Sequence, residues 1–397
     1  DFANARDVDR VAEMNRLYVV EAMSTVTGSM ADHRLPMRLT EMERLARTIA
    51  ALVGVANCAV DNELSESKLA FARAVAAALR AHAGESLVVA GESQTPMAHA
   101  IIHAMNEALE SVGRTVTYIE PVEARPENHV RSLANLVMAM EARKVKLLLI
   151  LGGNPAYDAP PDLELANAMQ HVSMRLHLSS HANETSALCQ WHVPEAHPLE
   201  SWGDTRAFDG TTAMVQPLIA PLYNGKTASE VLDVALATNR SAHAIVQDYW
   251  RAQVDASEFD RFWETALANG FVPRSEYPPL DVRVRAAIAY QRPLESTDHI
   301  EIAFRADPAL GDGAEANNGW LQELPRPLTK ITWDNAVLMS PATAERLGVE
   351  REQIVELTVD LYSVSGPVWI LPGHADGCVT VHLGYGRTRP RAPAGST

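Results

Sequence analysis

The sequence predicts an α/β protein: doubly wound, mostly parallel sheet through the first half, and a compact β-barrel at the C-terminal end. Three observations predict it. Apolar runs of strand length alternate with Ala-rich, amphipathic stretches of helix length over about two hundred residues. The run LLLIL (residues 147–151) is apolar without a break, as in a strand covered on both faces. The residues after 350 carry short β-branched runs separated by Gly-containing turns. With 397 residues, 47% of them hydrophobic and 6% aromatic, the chain can bury two or three cores. The expected limits are an α/β region over 1–216, a helical and irregular connection over 217–323, the barrel over 324–386 and a disordered tail over 387–397.

In order, residues 15–38 open with an alternating, β-branched strand and continue through a turn-rich loop. A helix over 41–53 follows with Thr40 as its N-cap, then an Ala-rich helix over 67–83 ending near Gly84. SLVVAG (86–91) reads as a buried strand, 97–112 as a helix stopped by Gly113, and RTVTYIEP (114–121) as a second strand. A helix over 130–143 leads into KVKLLLILGGN, the third strand, and a helix over 163–170 into the strand VSMRLHLSS (172–180). From 217 to 279 the pattern turns helical: SEVLDVALATNR, AIVQDYWRAQ and EFDRFWETALANG. Their DYW and RFW clusters read as core-facing stripes, since an acidic setting disfavours base stacking. Residues 294–319 read as a strand and a long polar loop. WDNAVLMSPATAERLGV holds one short helix with Ser340 capping and Pro341 in its first turn. EQIVELTVD, GPVWILPG and CVTVHLGYG are then strands of the barrel, with turns at Ser365 and Gly366 and over 375–377.

The net charge of −16 argues against nucleic acid, whose affinity comes from Lys and Arg neutralising phosphates. It suits steering of a cationic protein such as a basic cytochrome, though an ordinary acidic protein carries it too. No apolar run approaches the roughly eighteen residues needed to span a bilayer, so no membrane span is expected. Cys58, Cys189 and Cys378 stand far apart without a CxxC, so the chain cannot by itself ligate an iron–sulfur cluster or a structural zinc. They form no disulfide framework and say little about compartment. The opening DFANARDVDR and the basic ending RTRPRAPAGST suggest a piece of a longer protein.

Four clusters carry candidate chemistry. The turn GESQTP places Gly91 and Ser93 between a strand and a helix N-terminus, where backbone N–H groups favour an anion. It is neither GxGxxG nor a P-loop, and a plain turn-and-cap uses the same residues. In GGNP, Gly152 and Gly153 allow close backbone approach at a strand's carboxyl end, and Asn154 offers donor and acceptor. A strand-end turn would use them equally. His99 and His103 have metal-ligand spacing on one helix, with no third ligand in view. His192, Glu195, His197 and Glu200 lie within nine residues and could form an acid–base pair, but no paired nucleophile, GxSxG or HExxH accompanies them.

Three blocks in order resemble the molybdopterin oxidoreductase family. LYVVEAMSTVTGSMADHRLPMR (17–38) is similar to the strand and loop that active relatives write D-P-R-x-x-x-T-A-x-x-A-D, followed by P-G-T-D. LLLILGGNPAYDAP (147–160) resembles the strand ending in G-x-N-P. ETSALCQWHVPEAHPLESWGD (184–204) resembles E-T-A-x-x-A-D-x-x-L-P and its downstream E-x-x-G-T. The final region resembles the pterin-dinucleotide-binding double-psi β-barrel. A closer resemblance is to the molybdopterin-like half of the large iron–sulfur subunit of bacterial alternative complex III, a quinol:electron-acceptor oxidoreductase. TGSMADHRLP, GESQTPMAHAIIHAMNEAL, HPLESWGDTRAFDGT, TKITWDNAVLMSPATAERLG and LGYGR carry it.

The departures set the functional expectation. Glu21, Ala22 and Met23 stand at the D-P-R position, removing an Arg suited to bidentate phosphate contact. Leu39, Thr40, Glu41 and Met42 replace P-G-T-D, and Gly210 and Thr211 replace a G-R pair. Two lost charged hydrogen bonds, each worth roughly 1.5–3 kcal/mol, would weaken dinucleotide binding severely. The resemblance therefore implies a vestigial pocket at Glu21, Gly91, Ser93, Gly152, Gly153, Asn154, Glu200 and Gly203, with no catalytic residue, no metal ligand and no bound cofactor. It implies a scaffold in a respiratory complex whose iron–sulfur clusters lie in another part of the same large subunit. Its partners would be multihaem cytochrome c and quinol-binding membrane subunits, and export by a twin-arginine-type route would put it on the periplasmic face. The alternative is an active molybdenum-bis(pterin guanine dinucleotide) enzyme of the polysulfide or tetrathionate reductase type. A nicotinamide- or flavin-binding Rossmann protein would need a glycine fingerprint that is missing.

Overall fold

The computed structural model describes residues 3–7, 9, 14–284 and 299–388. The expected tail beyond 388 and the first residues of the expected 294–319 segment lie outside them. The chain groups into two compact units, one of Asp1–Tyr118 with Asp281–Tyr385 and one of Ile119–Leu280 with Gly386–Thr397.

The first unit begins with β1 (Tyr18–Glu21), α1 (Val26–Ser29) and β2 (His33–Pro36). β1 and β2 are parallel, with Tyr18 opposite His33 and Glu21 opposite Pro36. The sequence reads β2 as loop because HRLP is polar and holds a proline. Pairing with β1 and the stacking of Tyr18 on His33, 4.9 Å between centroids, make it a strand. α2 (Leu39–Leu52) starts earlier than expected, and Thr40 lies inside it rather than capping it. The Glu301 carboxylate supplies the cap, accepting from Leu39 N at 2.7 Å and Thr40 Oγ1 at 2.8 Å. α3 (Glu66–Ala81) and α4 (Pro96–Ala108) are capped by the Ser65 and Thr95 side chains. The three helices pack around Leu45, Ile49, Leu69, Ile101 and Met105.

Two expected strands are absent. SLVVAG and RTVTYIEP join no sheet, apart from an isolated bridge between Val112 and Val116. The Asn106 side chain on α4 takes both backbone groups of Val88, donating to its carbonyl at 2.8 Å and accepting from its N–H at 3.0 Å. The Ser86 carbonyl accepts from the Ser111 and Thr115 hydroxyls. Side chains thus satisfy a backbone that a ladder would otherwise serve.

The second unit starts with α5 (His129–Glu141), β3 (Leu147–Leu151), α6 (Pro155–Asp158), α7 (Leu165–Met169), β4 (Met174–Ser179), α8 (Glu184–Ala187) and β5 (Trp191–Pro194). The strands form a parallel sheet in the order β3-β4-β5. β3 is not covered on both faces as expected. It is an edge strand, and Leu147 remains 62% exposed while Leu148 is buried. A hairpin of β6 (Gly203–Arg206) and β7 (Thr212–Val215) follows, then α9 (Ala228–Ala235), α10 (Ala242–Arg251) and α11 (Phe259–Asn269). Trp250 and Trp263 are core residues as read from the sequence, joined there by Phe259, whereas Tyr249 faces outward. Trp250 donates its indole N–H to Asp204 at 2.8 Å, tying the hairpin to α10.

The first unit resumes with β8 (Glu301–Arg305), α12 (Gly319–Glu323), β9 (Val337–Met339), α13 (Pro341–Leu347), β10 (Ile354–Val359), β11 (Tyr362–Ile370) and β12 (Cys378–His382). These strands make a mixed five-stranded sheet in the order β10-β11-β9-β12-β8. β8 pairs parallel with β12, and β11 with β9. Ser340 caps α13 as expected, accepting from Thr343 N. The expected turn at Ser365 and Gly366 is instead the middle of β11, opposite Glu356 and Val355. The chain reverses between Val359 and Tyr362, where Asp360 takes the left-handed φ of 51°. The architecture is therefore α/β with parallel and mixed sheets.

A buried network fastens the polar loop after β8. Arg326 donates from Nε to Asp307 at 2.9 Å and from Nη2 to the Tyr385 hydroxyl at 2.6 Å, with ion-pair side chains only 5% and 1% exposed. Burial, with Asp307 beside it, pushes the Tyr385 phenol up to about 12. Among the described residues no helix is long and apolar enough to cross a membrane. Replacing Arg326 with Met leaves Asp307 buried and uncompensated, so the urea midpoint should fall by the equivalent of about 3–5 kcal/mol.

Candidate functional site

Each unit places expected pocket residues at a strand-end turn. In the first unit, β1 ends on Glu21, which is 8% exposed. Its carboxylate folds back over the following turn and accepts from Thr25 N at 3.1 Å, the Thr25 hydroxyl at 2.7 Å and Arg34 Nε at 2.5 Å. Gly28 lies beneath it, and a Cβ there would push the Glu21 carboxylate out of this position. Arg34 also donates from Nη1 to the Gly373 carbonyl at 2.8 Å. The turn is thus an anion-holding arrangement whose anion is the chain's own carboxylate.

In the second unit, β3 ends at Gly152 and Gly153, both left-handed with φ of 76° and 70°. They swing Asn154 inward, where its side chain is buried against α8. Asn154 accepts from Thr185 N at 3.1 Å and the Thr185 hydroxyl at 2.8 Å, and donates from Nδ2 to Glu184 at 2.8 Å. Below them His177 is fully buried. It lies 3.2 Å from the Gly153 carbonyl, which can only accept, so Nε2 carries the proton and Ser186 donates to Nδ1 at 2.8 Å. Ser179 donates to the His181 carbonyl at 2.8 Å, and His192 donates to the Ser179 carbonyl at 3.1 Å. Both serines are buried with their hydroxyl protons committed, so the cluster positions backbone and does not activate a nucleophile.

The other expected residues fall elsewhere. Gly91 and Ser93 sit in an exposed turn before α4, and nothing lies within 4 Å of a Cβ built on Gly91. Glu200 accepts from His197 N at 3.1 Å and Leu222 N at 3.3 Å, a capping role in which His197 accepts from Leu199 N. Gly203 pairs with Val215 in the hairpin. Burial raises the Glu195 carboxyl above its ordinary range. The side chains of His192, His197 and Glu200 therefore serve local bonds to backbone groups. His103 meets the Tyr118 hydroxyl at 2.8 Å. Among the described residues no group of three or more His, Cys, Asp or Glu could hold a metal ion. Sequence reasoning missed Arg34, which lies inside a quoted block, and the Arg387 partner of Glu184, which lies 203 residues away.

No family model matches the chain. The molybdopterin-binding-like subunit of menaquinone reductase from Nitratidesulfovibrio vulgaris (strain Hildenborough) is 25% identical over 271 residues, which is 64% of this chain. The match spans 38% of that relative's length. The solved structure of acetylene hydratase from Pelobacter acetylenicus superposes with a TM-score of 0.61, covering 95% of this chain and 67% of that one at 14% identity. The chain is thus similar in sequence, over part of its length, to a molybdopterin-binding-like subunit, and in fold to acetylene hydratase. At that identity the acetylene hydratase likeness concerns fold alone.

Burial lowers the pKa of His177, with His192 nearby acting the same way against bonds to the Gly152 and Gly153 backbone. The folded state therefore favours the neutral ring. Its contribution is complete above the unfolded-state value of about 6.5 and is lost as pH falls below it. His374 and His382 are shifted in the same direction by burial. The thermal midpoint should drop as pH goes from 7 to 5, and His177→Gln should flatten that part of the curve. Replacing Glu21 with Ala should cost roughly 1.5–3 kcal/mol through the charged hydrogen bonds left open, read as a lower urea midpoint.

Proposed function

We propose that the chain is a molybdopterin-oxidoreductase-like scaffold without bound pterin dinucleotide, in a respiratory quinol:electron-acceptor oxidoreductase of the alternative complex III type. The observation that carries this reading is Glu21. A pyrophosphate brought to the turn after β1 would meet a carboxylate that already uses Thr25 and Arg34. Like charges in a largely buried setting repel strongly. The residues present therefore do not fit a dinucleotide there, and no chemical step is assigned to one.

The menaquinone reductase relative supports the quinone side of the proposal, since it too is a molybdopterin-binding-like subunit of a quinone-linked enzyme. In this reading electrons from quinol pass through iron–sulfur clusters in another part of the subunit toward a periplasmic carrier or oxidase. Multihaem cytochrome c and quinol-binding membrane subunits are the proposed partners, at the periplasmic face of the inner membrane. The chain's own contribution is rigid shape, and its net charge of −16 suits a basic partner.

The test is the molybdenum, tungsten and iron content of the intact natural subunit purified in its complex, with oxidised-pterin fluorescence. Iron without pterin or molybdenum is the expected result. Stoichiometric pterin with molybdenum would overturn the proposal in favour of an active molybdenum enzyme acting on polysulfide or tetrathionate.

A further inference from the structure

The second unit contains a charge pair that the scaffold reading does not use. Glu184 at the start of α8 accepts from Arg387 Nε at 3.0 Å (Oε1) and 3.1 Å (Oε2), from Arg387 Nη2 at 2.9 Å and from Thr388 N at 2.9 Å. Asn154 Nδ2 also donates to it, at 2.8 Å. The Arg387 guanidinium lies 5.1 Å from the centre of the Tyr157 ring. The two charged side chains are 7% and 11% exposed.

Three features separate this from a chance ion pair. The receiving groups come from the strand-end turn, α6 and α8, and the sheet holds them together without Arg387. Thr185 fixes the Asn154 amide through two bonds, and Asn154 in turn aims the Glu184 carboxylate, so the acceptor is oriented before any cation arrives. A carboxylate presenting both oxygens beside an aromatic face matches a planar guanidinium and not a compact ammonium.

We propose that Glu184, Asn154 and Tyr157 form an arginine-recognition site, which the chain fills in cis with Arg387 and so closes the turn after β3. Its ligand class is a guanidinium group. Tethering gives Arg387 a high effective concentration, so an outside guanidinium competes only when the Gly386–Thr388 segment lifts away. What the closed turn excludes rests on the cofactor-free reading; whether the site recognises guanidinium does not.

The test uses the full chain and methylguanidinium as probe, with methylammonium at equal concentration as control. Arg387→Ala should lower the thermal midpoint and speed hydrogen exchange of the Thr185 amide by about tenfold as local opening becomes easier. Millimolar methylguanidinium should restore both, because a ligand bound only to the folded state stabilises it, and methylammonium should not. Adding Glu184→Gln to Arg387→Ala should abolish the rescue. Arg387→Lys keeps the charge without the planar fork, and serves if the alanine variant does not fold. It should exchange faster than the parent at Thr185 and gain nothing from methylammonium. Unchanged Thr185 exchange in both variants, equal rescue by the two cations, or rescue that survives Glu184→Gln would each overturn the site. Pterin content is read separately, so the failure of either proposal is visible without the other.

Discussion

The parallel pairing of β8 with β12, Glu301 opposite Cys378 through Arg305 opposite His382, is the contact on which the first unit depends. It fixes two chemically separate events at the two ends of one five-residue strand. At its start, Glu301 reaches α2 and caps it. Just beyond its end, Asp307 meets Arg326 and Tyr385 and pins the loop that follows. The middle, Ala303, is buried with Ala22 and Cys378. Register is therefore constrained at both ends: a one-residue slip would turn Glu301 to the other face and leave the α2 N–H groups unserved.

Both units deal with buried charge in the same way. Three carboxylates that leave solvent each meet a guanidinium and at least one backbone or hydroxyl donor or side-chain amide: Glu21 with Arg34, Asp307 with Arg326, Glu184 with Arg387. A buried ion pair is weak evidence for net stability, yet once present its partners are mutually obligatory. That condition links the two turns. At both strand ends the polar groups are turned on one another, and at the first the close approach that Gly28 allows is taken by the Glu21 carboxylate.

The sequence made the elements with local signals legible. The LLLIL strand, the Ala-rich helix after residue 66, the Trp-bearing helices and the α13 start at Ser340 and Pro341 all announce themselves within a few residues. What failed depended on distant partners. SLVVAG has every mark of a strand, but Asn106 eighteen residues on occupies its backbone. HRLP has none, and becomes one because β1 lies beside it. Glu21 was visible as a change at a family position, while the Arg34 and Thr25 that make it an internal anion were not. The Glu184–Arg387 pair spans 203 residues and leaves no periodicity to read.

The first unit is also interrupted in the chain: its two portions are separated by Ile119–Leu280. As the protein leaves the ribosome, β1, β2 and the α2–α4 bundle emerge long before the strands that complete their unit. The Leu39 N–H at the start of α2 waits for the Glu301 carboxylate, and Glu301 has no ladder until β12 follows. The intervening unit can assemble its parallel sheet sooner, yet Arg387, which meets Glu184, is made 203 residues after it. Completion of both units thus waits on residues made long after their first strands, and chaperone protection matters most in that interval.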